Sequence, residues 1–83
     1  MTSHFENFDW DNLKIGDKVR INGYIEDHST YRKKLLSMGL IPGTEFIFKR
    51  IAPLGDPIEI EIRGFSLILR RKEAKILKLK KVL

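Results

Sequence analysis

The stretch that decides the fold is Ile58-Glu59-Ile60-Glu61-Ile62-Arg63-Gly64-Phe65-Ser66-Leu67-Ile68-Leu69. Three isoleucines alternate with Glu59, Glu61 and Arg63, the period-two signature of a strand with one apolar and one wet face. Gly64-Phe65 reads as a tight turn, and Phe65, Leu67 and Leu69 alternate along a return strand, which makes the segment a hairpin. Downstream, Arg71-Lys72-Glu73-Ala74 is long enough for one helical turn. Leu77 and Leu79 then alternate with lysines in a final strand.

Working back from the hairpin, Pro53-Leu54-Gly55-Asp56-Pro57 is a loop, with two prolines and a glycine in five residues. Residues 44–52 read as a strand buried on much of both faces, with Phe46 and Phe48 on one side and Ile47 and Ile51 on the other. Before them comes a short amphipathic helix over residues 29–38. Tyr31, Leu35 and Met38 fall on one face and Leu36 widens the stripe. Asp27 or Ser29 caps its start. Gly39 stands where a left-handed residue ends a helix, with Leu40 placed to contact Leu35, and Pro42 prevents a restart. Lys18-Val19-Arg20-Ile21-Asn22 alternates as the first strand until Gly23 breaks it, and Gly16-Asp17 turns the chain into it. Residues 1–12 form an N-terminal tail carrying Phe5, Phe8 and Trp10; residues 13–83 form one domain.

Five short strands, tight turns and one early helix predict an all-β fold. The single helical turn before the last strand favours an SH3-like barrel with a helical insertion after the first strand. An oligonucleotide-binding barrel, which usually places its helix between the third and fourth strands, is the next choice.

Composition narrows the function. The chain has 83 residues, room for one small core and not for a catalytic domain beside a binding domain. It has no cysteine, which removes disulfides, thiolate metal sites and thiol nucleophiles and suits a reducing cytoplasm. No apolar run reaches transmembrane length and the N-terminus lacks the pattern of a secretory signal. The formal net charge of +5 is concentrated at one end: residues 63–83 carry Arg63, Arg70, Arg71, Lys72, Lys75, Lys78, Lys80 and Lys81 against Glu73. Such a segment suits an anionic partner, or protects a terminal strand edge with lysines.

Catalytic chemistry finds little support. His4 and His28 have no nucleophile arrangement beside them, and the glycines are too dispersed for a phosphate-binding loop. Glu26-Asp27-His28 is the one metal-like cluster, and adjacent residues rarely converge on one ion. Glu59 and Glu61 share a strand face, where basic side chains opposite them are the expected partners. No metal or other cofactor and no enzymatic activity is expected. Nucleic acid is a weak candidate, because Phe46, Phe48 and Phe65 occupy positions the core needs and the other candidate aromatics sit in an acidic tail. A protein-docking surface remains. Its candidates are Met38, Gly39, Leu40 and Ile41 at the helix stop, with Arg32 and Leu36 on the helix. A second set is the rigid loop of Pro53, Leu54, Gly55, Asp56 and Pro57, with Leu54 at its tip. Leu40 and Ile41 could instead plug one end of the barrel.

These segments resemble the FeoA family, small cytoplasmic proteins of bacterial ferrous iron transport. The similarity runs from Leu13 and Gly16-Asp17 through Arg32-Lys33-Lys34-Leu35-Leu36-Ser37-Met38-Gly39-Leu40-Ile41-Pro42-Gly43-Thr44. It continues through Arg50-Ile51-Ala52-Pro53-Leu54-Gly55-Asp56-Pro57-Ile58, then Arg63-Gly64-Phe65, Leu69-Arg70-Arg71 and Glu73-Ala74. The resemblance implies an SH3-like barrel. It also implies a partner, the FeoB permease with its cytoplasmic GTP-binding domain, and an accessory role in iron uptake without transport or redox chemistry. Departures are mild: Ser37 and Met38 stand where a polar residue and Leu are frequent, and Trp10 where Leu is common. Three modes of action follow: a scaffold that assembles or gates the permease, an arginine finger from Arg32 or Arg50 presented to the GTPase, or direct iron sensing. In the first mode the basic C-terminal strand could lie against an anionic membrane surface.

Overall fold

A computed structural model describes residues 10–25 and 29–82. The alternation in residues 58–69 does form a hairpin, β3 (Ile58–Ile62) and β4 (Phe65–Leu69), with Ile58, Ile60, Ile62 and Leu69 buried. Its turn is one residue earlier than the sequence pattern suggested. Arg63 (φ 51°) and Gly64 (φ 83°) form it, and Ile62 pairs with Phe65. Two successive positive φ values match the right-handed twist of the flanking strands, the reason two-residue hairpins use this turn.

The other strands are β1 (Lys18–Tyr24), β2 (Glu45–Ile51) and β5 (Leu77–Val82); the helices are α1 (Ser29–Ser37) and a single turn, α2 (Arg71–Ala74). A 3-10 turn spans Trp10–Asn12. The five strands form one antiparallel sheet in the order β4-β3-β2-β1-β5, with α1 between β1 and β2 and α2 before the last strand. This is the SH3-like arrangement expected.

Gly23 does not end β1. It lies inside the strand at φ 145°, where a bulge shifts the β1–β5 register between Ile21 and Gly23. In β2, Phe46 and Phe48 are buried, whereas Ile47 and Ile51 are only half-buried, so one face of the strand carries the core. A second bulge, between Phe48 and Arg50, breaks the alternation that suggested two buried faces.

The stop of α1 matches its sequence signal. Gly39 adopts φ 87°, its N–H donates to the Leu36 carbonyl at 3.0 Å, and the Leu40 N–H donates to the Leu35 carbonyl at 3.0 Å. These two bonds define a Schellman motif. The proposed caps fall outside the described side chains. Leu35 and Leu40 are fully buried, but Leu36 is 41% exposed and does not widen the buried stripe.

Val19, Ile21, Leu35, Leu40, Phe46, Ile58, Ile60, Leu69 and Leu79 form the fully buried centre. Trp10, placed by sequence in the tail, joins this core. Its ring stacks on Phe46 at 5.6 Å and meets the edge of Phe48 at 6.2 Å, while Nε1 donates to the Ala74 carbonyl at 2.9 Å. Phe5 and Phe8 lie outside the described residues.

Candidate functional site

The β2–β3 loop follows from its own composition. The Ala52 N–H donates to the Pro57 carbonyl at 3.0 Å and the Gly55 N–H to the Ala52 carbonyl at 2.8 Å, with Gly55 at φ 88°. These bonds turn the chain tightly and leave Leu54 95% exposed at the tip. Arg71 fastens the loop to the barrel. Its backbone N–H donates to Asp56 Oδ1 at 2.9 Å, Nη1 donates to the Gly55 carbonyl at 3.3 Å, and Nη2 pairs with Asp11. Arg71 was not among the sequence candidates. Its signal was its place at the start of the helical turn that follows the hairpin.

The second candidate cluster is the helix stop. Leu40 is buried and is a plug for the barrel; Ile41 is 43% exposed and is not. The Tyr24 hydroxyl donates to the Leu40 carbonyl at 2.7 Å, and the Arg32 guanidinium lies 5.9 Å from the Tyr24 ring centroid. Burial raises the Tyr24 phenol above its ordinary value, and the nearby Arg32 charge opposes the shift. A Cβ on Gly39 would stand 3.4 Å from Arg63 Nη1, so the Arg63 side chain reaches from the β3–β4 turn to the helix stop.

The two clusters therefore occupy opposite ends of β3. Pro57 immediately precedes it and Arg63 immediately follows it. Four residue steps along an antiparallel strand span about 14 Å.

Every described acidic side chain is engaged. Arg20 pairs with Glu45 at 2.9 Å, Arg50 with Glu59 at 2.9 Å, Lys49 with Glu61 at 3.3 Å, Lys34 with Glu73 at 2.8 Å and Lys81 with Asp17 at 3.4 Å. Asp11 and Asp56 are held by Arg71. The hydrogen bond from Arg50 holds the Glu59 carboxyl below its usual value, and the Lys14 N–H bond does the same for Asp17. The basic partners expected for Glu59 and Glu61 are therefore present. Arg50, one of the two finger candidates, is committed to Glu59. Glu26-Asp27-His28 lies outside the described residues, and among the described residues no three His, Cys, Asp or Glu side chains cluster as metal ligands.

Phe65 is the principal correction to the candidate core. It keeps the parity of Leu67 and Leu69 but is 71% exposed, because the earlier turn places it at the outer end of the hairpin. The structure also shows a cleft of about 430 Å³ that sequence did not suggest. Lys34, Asp56, Pro57, Ile68, Arg70 and Glu73 line it. α1, the β2–β3 loop and the β4–α2 junction supply these residues, which are far apart in sequence. Among the described residues no aromatic side chain lines it, unlike the grooves that take proline-rich helices.

The fold and site define a small SH3-like barrel with a latched loop, an exposed apolar tip and paired acids. The chain belongs to the FeoA family: the FeoA domain model matches residues 11–81. Over 62 residues, or 75% of the chain, it is 34% identical to an Fe(2+) transport protein A/Fe(2+) transporter FeoB fusion protein of Porphyromonas gingivalis. It spans 7% of that relative's length. A FeoA-like protein of Clostridium acetobutylicum is 36% identical with a TM-score of 0.81, covering 100% of this chain and 92% of that one. Stenotrophomonas maltophilia FeoA, a prokaryotic SH3 domain protein solved with zinc, shares the fold at 17% identity and a TM-score of 0.71, with 88% and 89% of the chains covered.

Proposed function

We propose that this chain is a non-enzymatic accessory protein of ferrous iron uptake that docks on the cytoplasmic portion of a FeoB-type permease through its β2–β3 loop. The observation that carries the reading is Leu54, 95% exposed on a loop held on both sides by its own backbone bonds and by Arg71. A large apolar side chain on an already ordered loop loses little conformational entropy on binding. The P. gingivalis relative carries both names in one polypeptide, which supports association of the two parts. The pairing of every acid among the described residues supports a scaffold over a catalyst.

Among the described residues no helix is long and apolar enough to cross a membrane. Recruitment by the permease then brings the barrel to the inner membrane face. There Lys78, exposed on β5, faces anionic lipid at roughly 1 kcal/mol per cation.

The test is binding to detergent-solubilised FeoB-type permease at physiological salt, with GTP, with GDP and without nucleotide. Saturable binding weakened at least tenfold by Leu54→Asp supports the reading. Binding that collapses with salt but ignores Leu54→Asp refutes it in favour of a purely electrostatic contact.

A further inference from the structure

Among the described residues the sheet has two edges, β4 and β5, and they are built differently. Lys78, Lys80 and Lys81 lie along β5, the ordinary protection of an edge against unwanted pairing. β4 reads Phe-Ser-Leu-Ile-Leu, with no charge and no proline. In its antiparallel pairing, alternate residues turn their backbone groups toward β3. The two-residue turn makes Ile62–Phe65 the closing bonded pair, so Phe65, Leu67 and Leu69 face β3. The N–H and C=O groups of Ser66 and Ile68 then point off the sheet, and both residues are exposed. Beside this edge lies the cleft, walled by Ile68 and Arg70 from the β4 side and by Lys34 from α1.

We propose that the β4 edge is a strand-addition site for an extended, acidic segment of a protein partner. The segment pairs antiparallel with Ser66 and Ile68 and sends one side chain into the cleft. Backbone bonds supply affinity in this mode and side-chain pockets supply selectivity. Charge selects the occupant. Arg63 and Arg70 bracket the strand and are exposed, while Glu73 and Asp56 in the cleft are already taken by Lys34 and by the Arg71 N–H. A second copy of this chain is a poor occupant. An antiparallel β4–β4 pair brings Arg63 of one copy near Arg70 of the other at both ends, and neighbouring like charges destabilise such a pair. This site is separate from the Leu54 tip.

The test is an amide NMR titration of the full chain with a synthetic peptide of about nine residues, alternating Val and Thr with Asp and Glu at both ends. Saturable shifts centred on the Ser66 and Ile68 amides, with slowed hydrogen exchange there, are expected. A peptide ending in lysines should bind about tenfold more weakly at low salt, the gap closing at high salt. Ile68→Pro removes an outward N–H without touching the ladder to β3 and should abolish binding. Where that variant does not fold, the same peptide N-methylated at alternate residues makes the same point on the native chain. Equal binding of the N-methylated peptide, shifts confined to the Leu54 loop, or no binding overturns the proposal. Concentration-dependent shifts at Ser66 and Ile68 without peptide overturn it in favour of a second copy.

Discussion

Trp10 gives the sharpest test of where the folded unit begins. It is 6% exposed, stacks on Phe46 and meets Phe48, and it caps the Ala74 carbonyl at 2.9 Å. Removing a buried Trp costs about 3–5 kcal/mol, from lost transfer free energy and the cavity left behind. A domain of this length has about 4–12 kcal/mol in total, so Trp10→Ala should leave the protein partly unfolded at 37 °C. Trp10→Phe separates the terms. It keeps most of the apolar contact but leaves the Ala74 carbonyl without its donor, at about 1–3 kcal/mol. At roughly 4–8 °C per kcal/mol, the midpoint falls by about 4–24 °C. Thermal and urea denaturation followed by far-UV circular dichroism measure both variants; Trp10 is the single tryptophan, so fluorescence reports only the wild type. A cost below about 1 kcal/mol for Trp10→Ala would mean that Trp10 is an accessory to a domain complete without it, refuting the packing argument.

Arg71→Ala removes the side-chain bonds to the Gly55 carbonyl and to Asp11, while the backbone N–H bond to Asp56 remains. Its stability cost should stay within about 1 kcal/mol, because the pair with Asp11 is largely exposed, while permease binding weakens in a pull-down that Leu54→Asp also weakens. Arg63→Asn creates an Asn-Gly pair at a turn that demands two positive φ values and should stabilise the hairpin by up to about 1 kcal/mol, read as a higher thermal midpoint. Gly39→Ala forces a side chain into φ 87° and should cost about 1–2 kcal/mol by the same measurement. Asp17 and Glu59 both have folded-state values below their ordinary ones. Their contribution is therefore complete above the usual carboxylate range and is lost as pH falls through the lowered values. Asp17→Asn and Glu59→Gln should each flatten the stability profile below about pH 4, with little change in its slope near neutrality.

What the sequence made legible was local. The alternation in residues 58–62 fixed a strand, and Met38-Gly39-Leu40 announced a helix stop whose two hydrogen bonds are present. The errors arose where backbone geometry overrides pattern. The bulges at Gly23 and after Phe48 shift strand parity, which no residue pattern states. Phe65 looked like core because alternation gives a residue's side of the sheet but not its distance from the end. The cleft and the Arg71 latch depend on residues up to 60 positions apart, as Arg71 and Asp11 are, and become visible only once the strands are ordered.

The separation of the two candidate clusters constrains how this barrel can serve a large partner. The Arg63 side chain reaches from the β3–β4 turn to the helix stop, and the Leu54 loop sits at the other end of β3. A single small contact cannot include both, since about 14 Å of strand lies between them. The β4 edge runs between these ends, so a segment lying along it would pass from the Arg63 turn to the Arg70 cleft next to the latched loop. Contacts at the edge and at Leu54 would then be held on one rigid frame. In that arrangement the second contact forms at high effective concentration, so two weak contacts act as one strong one. Leu54→Asp and Ile68→Pro should therefore each weaken permease binding only as far as the remaining contact allows, and the double variant should lose that contact too. Permease binding unchanged by Ile68→Pro would show that the two surfaces serve different partners.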